Sequence, residues 1–178
     1  MPANSPFAVQ LFAKFATQFD EASASAEVWH HAKRAVIDWY ASFYPGLDTE
    51  SVRVLEKVLA EDVDRGDSKL ANGRIAGTRA AALLNGTAAH AAEVDDSYRE
   101  AMYHPGAATI AAALATAASV GATGMQFLKA VVIGYEVSTR IGVAMGRPHY
   151  RYWHNTGTIG AFGAASAAAS LMKLNEVE

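Results

Sequence analysis

The chain has 178 residues and a mass of 18.8 kDa, about one domain's worth, and its 51% hydrophobic residues supply enough apolar side chain for a sizeable core. With 15 Lys+Arg against 18 Asp+Glu, a formal charge of −3 and a pI near 6.1, there is no global basic field to attract phosphate backbones, so nucleic acid is not an expected partner. The absence of cysteine excludes a disulfide scaffold, thiolate metal sites and a cysteine nucleophile, and fits a cytoplasmic protein.

Met1 to Gln10 has no charged segment followed by a long apolar run, so no signal peptide is expected. Phe7, Leu11, Phe15 and Phe19 recur at i, i+4 and predict a helix over 7–19. A second helix, over 26–43, places Val28, Ala32, Ala35, Val36, Trp39 and Phe43 on one stripe, and the two stripes are expected to share a core. Pro45-Gly46 ends that helix. Thr49 to Val63 resumes with Val52, Leu55, Val58 and Leu59, and Arg65 to Gly77 reads as a polar connector.

Thr78 caps a helix to about Ala92 with Ala81, Leu84, Ala88 and Ala91 inward, and an irregular polar stretch, Glu93 to Tyr103, follows. Pro105 suits the first turn of a helix ending near Gly121. That alanine-rich segment is too weakly apolar to span a bilayer, so no membrane partner is expected. Thr123 opens a long helix to about Gly146, Arg147 to Trp153 forms a basic loop, and a last helix runs over 156–174. Its Gly157, Gly160 and Gly163 leave so little bulk that another backbone must approach closely. The pattern predicts an all-α, multi-helix bundle forming a single domain over 1–178, because no repeat or linker divides it.

The Gly157, Gly160, Gly163 spacing is not a dinucleotide fingerprint, and no GxSxG, GxxxxGK[ST], HExxH or EF-hand loop occurs, so no metal site is expected. His30-His31 reads as a solvated or packed pair, and Glu136 with Arg140 as a surface i, i+4 ion pair. His104 and His154 differ. Each directly precedes a predicted helix of small residues, where unpaired N–H groups and the positive dipole end favour anions and a neutral imidazole. A neutral histidine beside a bound carboxylate is poised as a general base; capping alone is the competing account. Glu93, Asp95, Asp96, Ser97 and Tyr98 crowd the loop before His104, and Arg147, His149 and Arg151 precede His154, a basic run suited to an acidic substrate.

Asn85-Gly86-Thr87-Ala88-Ala89-His90, Glu93-Val94-Asp95-Asp96-Ser97, His104-Pro105-Gly106, Gly134-Tyr135-Glu136-Val137 and His154-Asn155-Thr156-Gly157-Thr158-Ile159-Gly160 resemble, in order and spacing, the MmgE/PrpD family. That family includes 2-methylcitrate dehydratase, cis-aconitate decarboxylase and iminodisuccinate epimerase. The resemblance covers nearly the whole chain and the amino-terminal part of the family's larger helical domain. It implies cofactor-free chemistry on small di- or tricarboxylates, in which a proton next to a carboxylate is removed and water or carbon dioxide is lost, or the carbon is reprotonated. It implies active-site positions for Glu93, Ser97, His104 and His154.

On this reading His104 transfers protons and His154 binds or protonates substrate. Glu93, Asp95 and Asp96 order the loop or act as acid and base, and Arg147, Arg151 and Tyr98 contact substrate. Glu93 stands where the family usually has Asp, Ser97 where it has Thr, and Tyr98 where it often has His, which leaves the substrate open. Family members are more than twice as long and carry a lid domain with further site residues, so a homo-oligomer or a partner chain bearing that domain is expected. The alternative is a non-catalytic helical subunit that oligomerises or regulates; a bundle binding an apolar ligand leaves the polar loop unused.

Overall fold

The computed structural model describes residues 7–178, so the reading of Met1 to Gln10 lies partly outside the described residues. Seven α-helices among them run in the order α1 (Ala8–Gln18), α2 (Ala26–Gly46), α3 (Glu50–Val58), α4 (Thr78–Ala91), α5 (Pro105–Val120), α6 (Gly124–Tyr150) and α7 (Asn155–Met172). A short antiparallel pair, β1 (Val63–Lys69) and β2 (Ile75–Ala76), lies between α3 and α4. The fold is predominantly helical.

Helix α5 is the axis of the bundle. Its sixteen residues are mostly alanine, with Ile110 and Ala111 inward on one side and Ala113, Ala115, Thr116 and Ala117 buried further along. An element apolar on every face must be covered by neighbours. Proline occupies its first turn, and Gly121, at φ 65°, closes it in the left-handed conformation that costs glycine little. Around it the side chains of Trp39 and Phe43 stack with ring centroids 5.6 Å apart, against Val52, Val131 and Leu171. Burying side chains of this size contributes roughly 1.5–3 kcal/mol each.

The small residues of α7 meet α5 and α6 at close range. A β-carbon on Gly134 would stand 2.7 Å from the Gly163 carbonyl oxygen, and one on Gly163 would stand 2.9 Å from Ser138 Oγ. A β-carbon on Gly160 would stand 3.1 Å from the Ala108 β-carbon, whereas one on Gly157 would meet only the His154 ring, at 3.9 Å. The backbone approach predicted for this helix therefore occurs at Gly163, whose carbonyl meets Gly134, while Gly160 packs against the Ala108 side chain. Glu136 and Arg140 form the surface ion pair expected of them, and His31 faces exposed Glu27 at 3.7 Å.

Three expectations are corrected. Arg65 to Gly77 is not a plain connector: it forms most of the β1–β2 hairpin. Its sequence hides this because Val63 and Ser68 point inward while the intervening residues face solvent, so strict alternation is lost. Hydrogen bonds fix it in place, with Ser68 Oγ donating to Ala115 O at 2.8 Å and Asn85 bridging Ala71 N–H and Lys69 O. Helix α3 ends at Val58, which is exposed. Helix α1 buries none of its residues fully; Phe7 and Leu11 are exposed, and the helix lies on the outside of α6 and α7, because α5 already fills the space that α2 covers.

Candidate active site

The site forms where three chain segments converge: the end of α4, the loop over 92–104, and the start of α7. Alanine-rich α4 carries His90 in its last turn. The chain then leaves through Glu93, at φ 51°, and re-enters α5 after Met102, at φ 49°. Left-handed backbone is uncommon for such residues and persists where surrounding contacts fix it.

Those contacts are numerous. Asp96 uses both carboxylate oxygens, accepting the Gly106 N–H at 3.0 Å and the Tyr135 hydroxyl at 2.8 Å, so the loop is clamped to the mouth of α5 and the middle of α6. Tyr103, fully buried, donates to Ser138 Oγ at 2.8 Å, and Tyr98 and Tyr103 pair through their backbones. Burial pushes the Tyr103 hydroxyl up to about 12 and the Tyr135 hydroxyl well above its ordinary value. Burial also raises the Asp96 carboxyl, against the two hydrogen bonds that favour its ionised form. At the other side, Asn155 Nδ2 donates to Ala101 O at 2.7 Å, and the His104 N–H donates to Thr156 Oγ1 at 3.1 Å, which ties the mouth of α7 to the same loop.

Inside this frame Asp95 lies between two imidazoles, its side chain 1% exposed. His90 Nδ1 donates to Asp95 Oδ2 at 3.0 Å, and His104 Nδ1 lies 3.4 Å from Asp95 Oδ1 and 3.4 Å from Ser97 Oγ. Beyond His90, its Nε2 faces His154 Nε2 at 3.4 Å. The hydrogen bond that His90 donates to Asp95 holds its imidazole above the usual histidine value, burial opposing it, with the Asp95 and Glu93 charges adding to the rise. One buried carboxylate thus orients two rings through Nδ1, which places a proton on Nδ1 and leaves Nε2 as the lone pair available for proton abstraction. Three of these atoms, on His90, Asp95 and His104, also lie within 4.8 Å of one another, close enough to hold a metal ion.

The structure brings His104, Asp95, Ser97 and His154 together. Both histidines occupy the cap position of their helices, as the sequence predicts. Asp96 serves the clamp. Glu93 is exposed beside His90, and Tyr98 turns its ring edge-on to Tyr103, in a recess shared with α2 and α6. Arg147 and Arg151 are exposed on the far side of a break at Gly146, at φ 63° and ψ −176°; Arg151 stacks over Tyr152 at 5.7 Å. Neither guanidinium touches the histidines.

His90 is the residue that sequence reasoning did not assign to the site, although it closes the Asn85 to His90 motif. The available signal was its place one turn before an acidic loop, at the carboxyl end of an alanine helix. An open recess of about 610 Å³ has His90 and Thr156 in its lining, with Gly86, Ala108, Ala112 and Ala164 among its walls. No helix among the described residues is long and apolar enough to cross a membrane.

The pattern of the MmgE/PrpD N-terminal domain matches residues 10–178 of this predominantly helical chain, and the chain belongs to the MmgE/PrpD family. Among curated proteins it is similar to the cis-aconitate decarboxylase-like protein oryM of Aspergillus oryzae, 30% identical over 170 residues. That match takes in 89% of the chain and 35% of the relative, so the chain spans about a third of the relative's length.

Proposed function

We propose that this chain supplies the proton-transfer part of a lyase site that acts on a small di- or tricarboxylate, of the dehydratase or decarboxylase type. The observation that carries the reading is Asp95, buried between the Nδ1 atoms of His90 and His104. A carboxylate so placed fixes the tautomer and orientation of each ring and stabilises the imidazolium formed when the ring takes a proton. His104 removes the proton next to a substrate carboxylate. His90 and His154, whose Nε2 atoms face each other, hold the proton delivered to the leaving group or returned to carbon. The chemistry proposed for these residues is acid–base throughout.

The likeness to a cis-aconitate decarboxylase-like protein supports a carboxylate substrate and a lyase reaction. A partner completes the site on this reading, either a second copy or a chain bearing a lid. Two features support that. No lysine or arginine among the described residues forms a hydrogen bond or ion pair with His90, Asp95, His104 or His154, Arg79 sharing only the open recess with His90, and α7 leaves Phe162 half exposed beside Ala161 and Ala165.

Solvent-deuterium exchange into a panel of small di- and tricarboxylates, with and without candidate partner chains, tests the reading because it detects proton abstraction even where the full reaction stalls. Exchange is expected into at least one member, with loss in His104→Ala of about 10²–10⁴-fold. Exchange that survives this substitution removes His104 from the mechanism, and exchange into none of the acids favours the non-catalytic subunit.

A further inference from the structure

The arrangement that suits proton transfer also has the shape of a cation site. Asp95 Oδ1 lies 3.2 Å from His90 Nδ1 and 3.4 Å from His104 Nδ1. A tetrahedral zinc ion bound at roughly 2.0–2.2 Å by nitrogen and oxygen donors separates neighbouring donors by about 3.3–3.5 Å. Two edges of the required triangle are therefore already close to length, and His90, Asp95 and His104 each offer a ligand atom within 4.8 Å of the others. The donors are two imidazoles and a carboxylate, the borderline set that zinc accepts.

The surroundings fit as well. Asp95 is almost wholly buried, while the two rings are about a quarter exposed, which leaves an approach for an ion. A ligating histidine ordinarily donates through its second nitrogen to an acceptor, and His154 Nε2 stands 3.4 Å from His90 Nε2 to receive that bond.

We propose that a zinc-type divalent cation binds His90, Asp95 and His104 through Nδ1, Oδ1 and Nδ1, and silences the proton-transfer site by doing so. Coordination through Nδ1 confines the remaining proton of each neutral ring to Nε2. The lone pair that abstracts the substrate proton is then gone, and no redox step is involved. The cation is an inhibitor that competes with the active tautomer. The silencing half of this proposal rests on the proton-transfer reading; the binding half does not.

Isothermal titration calorimetry with zinc chloride, in chelator-free buffer and without substrate, tests binding. A His30→Ala/His31→Ala background removes the exposed pair. One zinc per chain is expected, weakened at least about tenfold by Asp95→Asn and by His104→Ala. Diethylpyrocarbonate labelling of the unsubstituted chain, mapped by mass spectrometry, answers for variants that do not fold: zinc should protect His90 and His104 and leave His30 and His31 reactive. Absence of zinc binding, or protection confined to His30 and His31, overturns the proposal. Where deuterium exchange is measurable, zinc should suppress it and a chelator restore it; exchange unchanged or raised by bound zinc overturns the silencing half. Zinc binding in a chain that exchanges no acid leaves the site standing and removes the proton-transfer reading instead.

Discussion

The two histidines that open α5 and α7 look alike in sequence and are held very differently. His104 sits at the end of a loop fixed by Asp96, Tyr103 and Asn155, its ring facing Asp95 and Ser97 and its backbone N–H bonded to Thr156. His154 is exposed, follows the exposed residues Tyr150, Arg151, Tyr152 and Trp153, and its ring has one hydrogen-bonding neighbour, His90. A shared position at a helix mouth confers a dipole environment on both, but only one receives a carboxylate that sets its tautomer. Precision therefore belongs to His104, and freedom to meet a substrate or a partner belongs to His154.

The comparison breaks most severely at Asp95. Asp95→Asn removes the group that orients both His90 and His104, and solvent-deuterium exchange should fall about 10²–10⁴-fold with the helical circular dichroism intact. His154→Ala should cost less, on the order of tenfold, and shift the melting temperature very little, since an exposed residue with one long contact contributes at most about 0.5 kcal/mol. Equal losses in the two variants would erase the distinction between the mouths.

The clamp is probed by stability. A β-carbon on Gly106 would lie 2.7 Å from the Tyr135 hydroxyl and 2.8 Å from Asp96 Oδ1, so Gly106→Ala should destabilise by about 1–3 kcal/mol in urea denaturation. Tyr135→Phe leaves Asp96 Oδ2 without its donor and should cost about 1–3 kcal/mol. The smallest effect concerns pH. Tyr103 and Tyr135 ionise at higher pH in the folded chain than the ordinary value of 10.0, so the stability they contribute is present below about pH 10 and declines as pH rises from there through 12. Urea midpoints at pH 9 and pH 11 measure the decline, and Tyr135→Phe should flatten it.

Much of the helical frame was legible because local and global signals agree in it. Pro105 and Gly121 bound α5, and Thr123 with Gln126 forms the capping box that opens α6. The hairpin was not legible, since its few inward residues do not alternate and its turns rest on Gly66 and Gly73 at positive φ. For the site, the helix-mouth argument and the family motifs pointed to His104 and His154. Asp95 and Asp96, adjacent and chemically identical, could not be told apart by pattern. Successive loop residues point in different directions, and only the fold sends one carboxylate to the imidazoles and the other to Tyr135 and Gly106. His90 was hidden for the same reason: its partners are three-dimensional neighbours on a loop and another helix.

The hydrogen bond from the His104 N–H to Thr156 Oγ1 fastens the first turn of α7 to the residue that begins α5. It acts as a ruler. With both helix starts pinned by one hydroxyl, the distance between the backbones at His104 and His154 is set, and on the proposed reading it bounds the span of molecule that can sit between them, while the exposed His154 ring keeps its freedom to turn. On the proposed reading, lengthening that single contact would change the size of acid accepted without altering any group proposed to handle a proton.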